Sequence, residues 1–179
     1  MSLVLDGSLG VTFPASNTPS FTNYQGGALT SGTAQASTSG TSIDFTSIPS
    51  WVKRITVSFK NCGTSSTSPK LIQVGNGSVI TTGYLGSSDN EGVSAAFTTG
   101  FGINSVVSAN RFQGLVTMVL EDATTNTWVS SGVVSCSDTP RTITTAGYIS
   151  LSSVLDRVRI TTVNGTDTFA AGSINILYE

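Results

Sequence analysis

Histidine is absent from this 179-residue chain, and with it go the usual general base of serine and cysteine hydrolases, the HExxH zinc site and any imidazole proton shuttle. Cysteine is nearly absent too. Cys62 and Cys136 are too few for a four-ligand structural zinc site or a disulfide-built scaffold, and a reducing compartment keeps such a pair as free thiols. Charge is the third scarcity: 10% of residues are charged, against roughly 25% in an average soluble protein, and the formal charge is −2. The basic residues are scattered apart from Lys53-Arg54 and Arg157/Arg159, which cannot make the positive stripe that phosphate neutralisation needs. Nucleic-acid binding is therefore not expected. No run approaches the roughly 18 consecutive apolar residues of a membrane-spanning helix, so membrane insertion is not expected either. Met1 to Asp6 lacks the basic start and apolar stretch of a secretory signal, and the expectation is a chain folded in a cytoplasm.

What fills the gap is hydroxyl. The chain holds 28 Ser and 27 Thr, while hydrophobic residues still make up 38% of it, so it carries enough apolar matter to fold and is sized for one domain. Residues 1–41 stand apart, with Asp6 as their single charge and short apolar clusters amid Ser, Thr, Gly, Ala, Asn and Pro. Such a segment is neither a self-sufficient core nor a well-solvated tail. It is expected to be an extended N-terminal arm ordered by contact with neighbouring chains through Leu3, Leu5, Val11, Phe13, Phe21 and Tyr24.

From residue 42 the pattern changes to strands. Ser42 to Ile48 alternates apolar and polar, and beyond the Pro49-Ser50 turn Ile55, Val57 and Phe59 share one face while Arg54, Thr56 and Ser58 share the other. Further strands are expected at 71–74, 79–84, 111–121, 127–135, 141–151, 155–163 and 173–178, all rich in Thr and Val, whose branched Cβ suits a pleated sheet. Turn chemistry separates them at Asn61-Cys62-Gly63, Gly75-Asn76-Gly77, 86–92, 122–126 and Asn164-Gly165. Asn-Gly is the strongest short hairpin signal, which pairs the strand at 155–163 with the one that ends the chain. Helical periodicity is missing. The pattern predicts an all-β domain over 42–179, an antiparallel sandwich of jelly-roll or lectin-like kind.

Candidate chemistry is thin. Asp89/Glu91 and Glu121/Asp122 are the adjacent carboxylates, and glycoside hydrolysis needs two facing each other roughly 5 to 9.5 Å apart, whereas acids in Gly/Ser/Asn loops ordinarily serve as solvated turn residues. Loop 86–92 offers hard oxygen donors without the spacing of a defined calcium loop, so no metal is expected. Gly-x-Gly at 75–77 and 100–102 precedes no helix, which leaves no phosphate loop and no expected cofactor. No enzymatic activity is expected. Trp51, Trp128, Tyr84 and Tyr148 are the aromatics with a flat apolar face and polar tip able to stack on a sugar. Trp51, after Ile-Pro-Ser, reads as a core or edge-covering residue; Trp128, with Asp89, Asn90 and Glu91 of the neighbouring loop class, is carried as the candidate glycan or receptor surface.

The stretch Ser42-Ile43-Asp44-Phe45-Thr46-Ser47-Ile48-Pro49-Ser50-Trp51-Val52-Lys53-Arg54-Ile55-Thr56-Val57-Ser58-Phe59 resembles a module of bacteriophage tail-fibre and other virion proteins. The resemblance continues through Leu71 to Gly75, Thr82-Gly83-Tyr84 and Ala171 to Glu179, and Gly10-Val11-Thr12-Phe13-Pro14 is similar to the segments that precede such modules. It implies a non-enzymatic virion protein, homotrimeric, held to other virion proteins by its arm and contacting host cell-surface polysaccharide. A capsid decoration or head-fibre protein, and a stand-alone carbohydrate-binding module, are the alternatives.

Overall fold

The computed structural model describes residues 29–105 and 111–179 in full, together with the backbone of β1 (Val4–Asp6) and β2 (Gly10–Thr12), which pair antiparallel with Leu5 opposite Val11. The side chains of Leu3, Leu5, Val11, Phe13, Phe21 and Tyr24, expected to dock the arm, lie outside the described residues.

The strands that follow are β3 (Thr30–Ser31), β4 (Gln35–Ala36), β5 (Ile43–Thr46), β6 (Arg54–Thr64), β7 (Lys70–Asn76), β8 (Ser78–Val79), β9 (Leu85–Asn90) and β10 (Val93–Phe97). Next come β11 (Phe101–Ile103), β12 (Phe112–Asp122), β13 (Thr127–Cys136), β14 (Arg141–Ser150), β15 (Arg157–Thr162) and β16 (Phe169–Tyr178). A nine-stranded antiparallel sheet runs β10-β9-β14-β13-β12-β6-β16-β3, with β4 also on β16. A five-stranded sheet runs β11-β7-β15-β5, with β8 on β7, and faces it across one core. The fold is an antiparallel β-sandwich, as the sequence pattern predicts. Residues 30–36, read from sequence as arm, supply β3 and β4 to the edge of the large sheet.

Alternation decides which side chains go inside. Along β6, Ile55, Val57 and Phe59 point into the core, and β12 answers with Val116 and Met118, β13 with Trp128 and Val134, β14 with Ile143 and Ile149. From the small sheet Ile72, Val74, Val158 and Ile160 meet them. The strand β7 is buried on both faces, because the 97–100 segment covers its back: Gln73 Nε2 donates to Thr99 O at 2.8 Å.

Three sequence expectations are corrected. Residues 86–90 are strand, not loop: β14 supplies a full ladder of partners, from Gly86 opposite Gly147 to Asn90 opposite Ile143, and this pairing overrides local turn propensity. Asn61-Cys62-Gly63 does not end its strand. Asn61 takes φ 54°, the left-handed region Asn tolerates, and the resulting bulge lets β6 continue to Thr64. The Asn164-Gly165 turn forms, with Gly165 at φ 66° and its N–H on Thr162 O, yet β15 does not pair with β16. The turn carries the chain across from the small sheet to the large one, where β16 pairs with β6.

Candidate functional site

The structure disperses the residues expected to form a glycan surface. Trp128 is 2% exposed, packed in the core from the inner face of β13, so its ring is not on the surface expected from the sequence. Asn90 is also buried, its Nδ2 donating to Asn104 O at 2.9 Å. Only Asp89 and Glu91 remain at the surface, beside the turn that joins β9 to β10.

The carboxylates are occupied by turns. Asp89 accepts from Gly92 N at 3.0 Å and Ser94 Oγ at 2.8 Å, and these bonds hold its pKa below the ordinary carboxylate value. Asp122 accepts from the N–H and Oγ1 of Thr124 and from Thr125 Oγ1, with the same consequence. Hydrogen bonds to the charged form favour it, the opposite of what a general acid requires. The two pairs are also far apart. Asp89 sits opposite Thr144, Asp122 opposite Thr127, whose partner on β14 is Ser150, which is about 20 Å further along the sheet at roughly 3.3 Å per residue. Among the described residues no three His, Cys, Asp or Glu side chains gather as a metal site would need.

One cation is wholly buried. Lys70 lies wholly inside the sandwich end, its Nζ donating to Ser105 O at 3.1 Å and 5.9 Å from the centre of the Phe112 ring. Burial pulls its pKa down to about 8, while Cys136 and Asp167, the ionisable groups facing it, oppose that fall. Both cysteines are free and buried, and burial raises their pKa. Lys70 ties Ser105 into the core.

Two surfaces stand out on the described residues. The first is the outer face of the large sheet. Register places Leu85, Tyr148, Val129 and Val119 side by side on four adjacent strands, all exposed, with Arg54 next in line. A parallel row sets Thr144 beside Val133 and Leu115, and between the rows lie Ser87, Ala146, Ser131 and Thr117. Charges occur only at the margins, at Asp89, Arg54, Lys60 and Glu121.

The second is a groove of about 430 Å³ at the open seam between the two sheets, where β5 of one lies beside β16 and the β3–β4 segment of the other. Its walls combine Phe45, Ile48, Ile176 and Tyr178 with Gln35 and Asp44. Asp44 is held by Arg159 through two bonds of 2.6 and 2.7 Å, which lift the Arg159 pKa. Next to Tyr178 stands Trp51, ring centres 5.9 Å apart and planes tilted 49°. Trp51, expected in the core or covering an edge, is 46% exposed. The signal that could have found it is the Pro49-Ser50 turn just before it, since residues on turns face water.

The chain matches no family model, no curated protein and no solved structure.

Proposed function

We propose that this chain is a structural building block of a bacteriophage particle, a short homotrimeric tail-fibre or fibre-tip subunit. It docks on other virion proteins through its N-terminal segment, is assembled in the host cytoplasm and has no catalytic centre. The observation that carries the reading is the outer face of the nine-stranded sheet, where the exposed side chains of Leu85, Tyr148, Val129 and Val119 line up across four strands without a charge among them. Four adjacent strands at about 4.8 Å spacing and seven residues at about 3.3 Å give a flat area of roughly 440 Å². That is more than half of the roughly 800 Å² per partner of a standard interface, before the relief of the side chains is counted. Hydroxyl and β-branched side chains lose little rotamer freedom when pressed together, whereas each Lys or Arg immobilised there would cost up to about 2 kcal/mol. The trimer and the virion setting come from the resemblance of most of residues 42–179 to fibre modules.

Light scattering on the purified full chain tests this reading. The expected mass is three times the 18.4 kDa of one chain. A monomer that persists at tens of micromolar overturns it, as does turnover of a bacterial polysaccharide by the pure protein.

A further inference from the structure

The seam groove and its surroundings bring together four kinds of group. Trp51 does not line the groove but stands at its edge as a half-exposed indole beside the phenol of Tyr178, which does, and their 49° tilt keeps the two rings from covering each other as a parallel stack would. Phe45, Ile48 and Ile176 give an apolar floor. The hydroxyls of Thr33, Thr46, Ser47 and Tyr178 make no hydrogen bond within the described residues, so they are available to a ligand. Ion pairs join Asp44 to Arg159 and Arg54 to Glu179, while Lys53, two residues from Trp51, has no ion-pair partner among the described residues.

We propose that this groove is a carbohydrate-binding site, in which Trp51 and Tyr178 stack against a neutral pyranose and Gln35, Thr46 and Ser47 bond its hydroxyls. A pyranose presents an apolar C–H face and a rim of hydroxyls that both donate and accept, which is the complement of an aromatic beside unengaged hydroxyls. The groove volume falls in the range of ordinary small-molecule sites. The lining favours a neutral sugar over an anionic one, because its one charged residue is the Asp44 carboxylate, already paired with Arg159, and an added carboxylate or phosphate would find no cation among the lining residues.

A peptide is the other occupant to weigh, and the edge of β5 argues against it. Strand addition needs a run of free backbone groups. Gln35 Nε2 already donates to Asp44 O at 2.7 Å, and Ser47, at φ 60°, breaks the extended backbone just past the end of β5. The edge is capped. The site belongs to a single chain and does not require assembly, so it goes beyond the building-block reading and stands or falls separately from it.

The two tryptophans make the test direct, since Trp128 is buried and Trp51 is not. Acrylamide should quench one tryptophan of the full chain and spare the other. Titration with maltotriose, cellotriose, N-acetylchitotriose and methyl galactoside, followed by a glycan array carrying bacterial surface polysaccharides, should find a neutral saccharide that shields Trp51 from the quencher. Calorimetry with that saccharide should show affinity at least tenfold weaker in Trp51→Ala, partly restored in Trp51→Phe, and weakened in Thr46→Ala, with Tm near that of the parent in all three. Three results overturn the proposal: no saccharide of either panel bound, binding undiminished in Trp51→Ala, or a Trp51 already shielded in the unliganded chain, which would make the groove a contact within the assembly. Light scattering on the same samples reads the oligomeric state independently, so a monomer that binds sugar refutes assembly alone, and a trimer that binds none refutes only the site.

Discussion

Lys70 is a charged residue that the fold buries completely. A buried ammonium has one backbone acceptor, Ser105 O, and the Phe112 ring, and burial lowers its pKa from 10.5 to about 8. Because the unfolded chain binds this proton more tightly, folding stability should rise as pH climbs from about 8 to about 10.5, by on the order of 3 kcal/mol at 1.36 kcal/mol per pKa unit. Cys62 and Cys136 work in the other direction, since their raised pKa values cost stability once unfolded thiols ionise. Urea melts of the parent and Lys70→Met, subtracted at each pH from 7 to 10, isolate the lysine. The parent should gain on the variant as pH rises, and a constant difference would show that Lys70 is not desolvated. Thr145 offers a second residue-scale case: its buried Oγ1 has no hydrogen-bond partner, as is true of Ser130 Oγ on the facing strand. Thr145→Val should stabilise by about 1 kcal/mol, since it removes an unmet polar group at nearly constant shape. A loss of that size in the same melts would mean an ordered water serves the hydroxyl.

At the scale of elements, pairing across the sheets outweighs the signals within a segment. β9 is Leu-Gly-Ser-Ser-Asp-Asn, a composition that reads as loop, yet it is strand because β14 and β10 flank it on both sides. The small sheet's β11 is held by a close approach: a Cβ at Gly102 would fall 2.2 Å from the ring of Phe97, so the ring lies directly on the glycine backbone. Gly102→Ala should therefore cost about 1–3 kcal/mol through overpacking, measured as a shift of the urea midpoint with unchanged slope. A neutral result would mean that Phe97 is free to move aside. β10 and β11 should loosen together in that variant, with faster amide exchange in 93–103 than in β12 or β13.

For the whole molecule, the decisive feature is that one sheet has a covered inner face and an open outer face that carries few charges. If the outer face is the contact between copies, Val129→Lys or Val119→Lys should shift the light-scattering mass toward the monomer while leaving the melting midpoint of the separated chain within about 0.5 kcal/mol, as exposed substitutions do. Retention of the full assembly in both variants would move the interface elsewhere. The sequence by itself determined the class of fold, because alternation with period two in β6, β12, β13 and β14 leaves each strand a single way to bury its apolar side. It also determined what the chain lacks, from histidine chemistry to a concentrated charge. Only the tertiary structure decided which sheet each strand joined, as with β15, and which tryptophan met water. Both indoles sit in short apolar-polar stretches that look alike along the chain. Trp128 is covered because its strand lies in mid-sheet with its side chain facing the opposite layer, whereas Trp51 is open because it sits on the turn before β6, beside the seam that the two sheets leave between them.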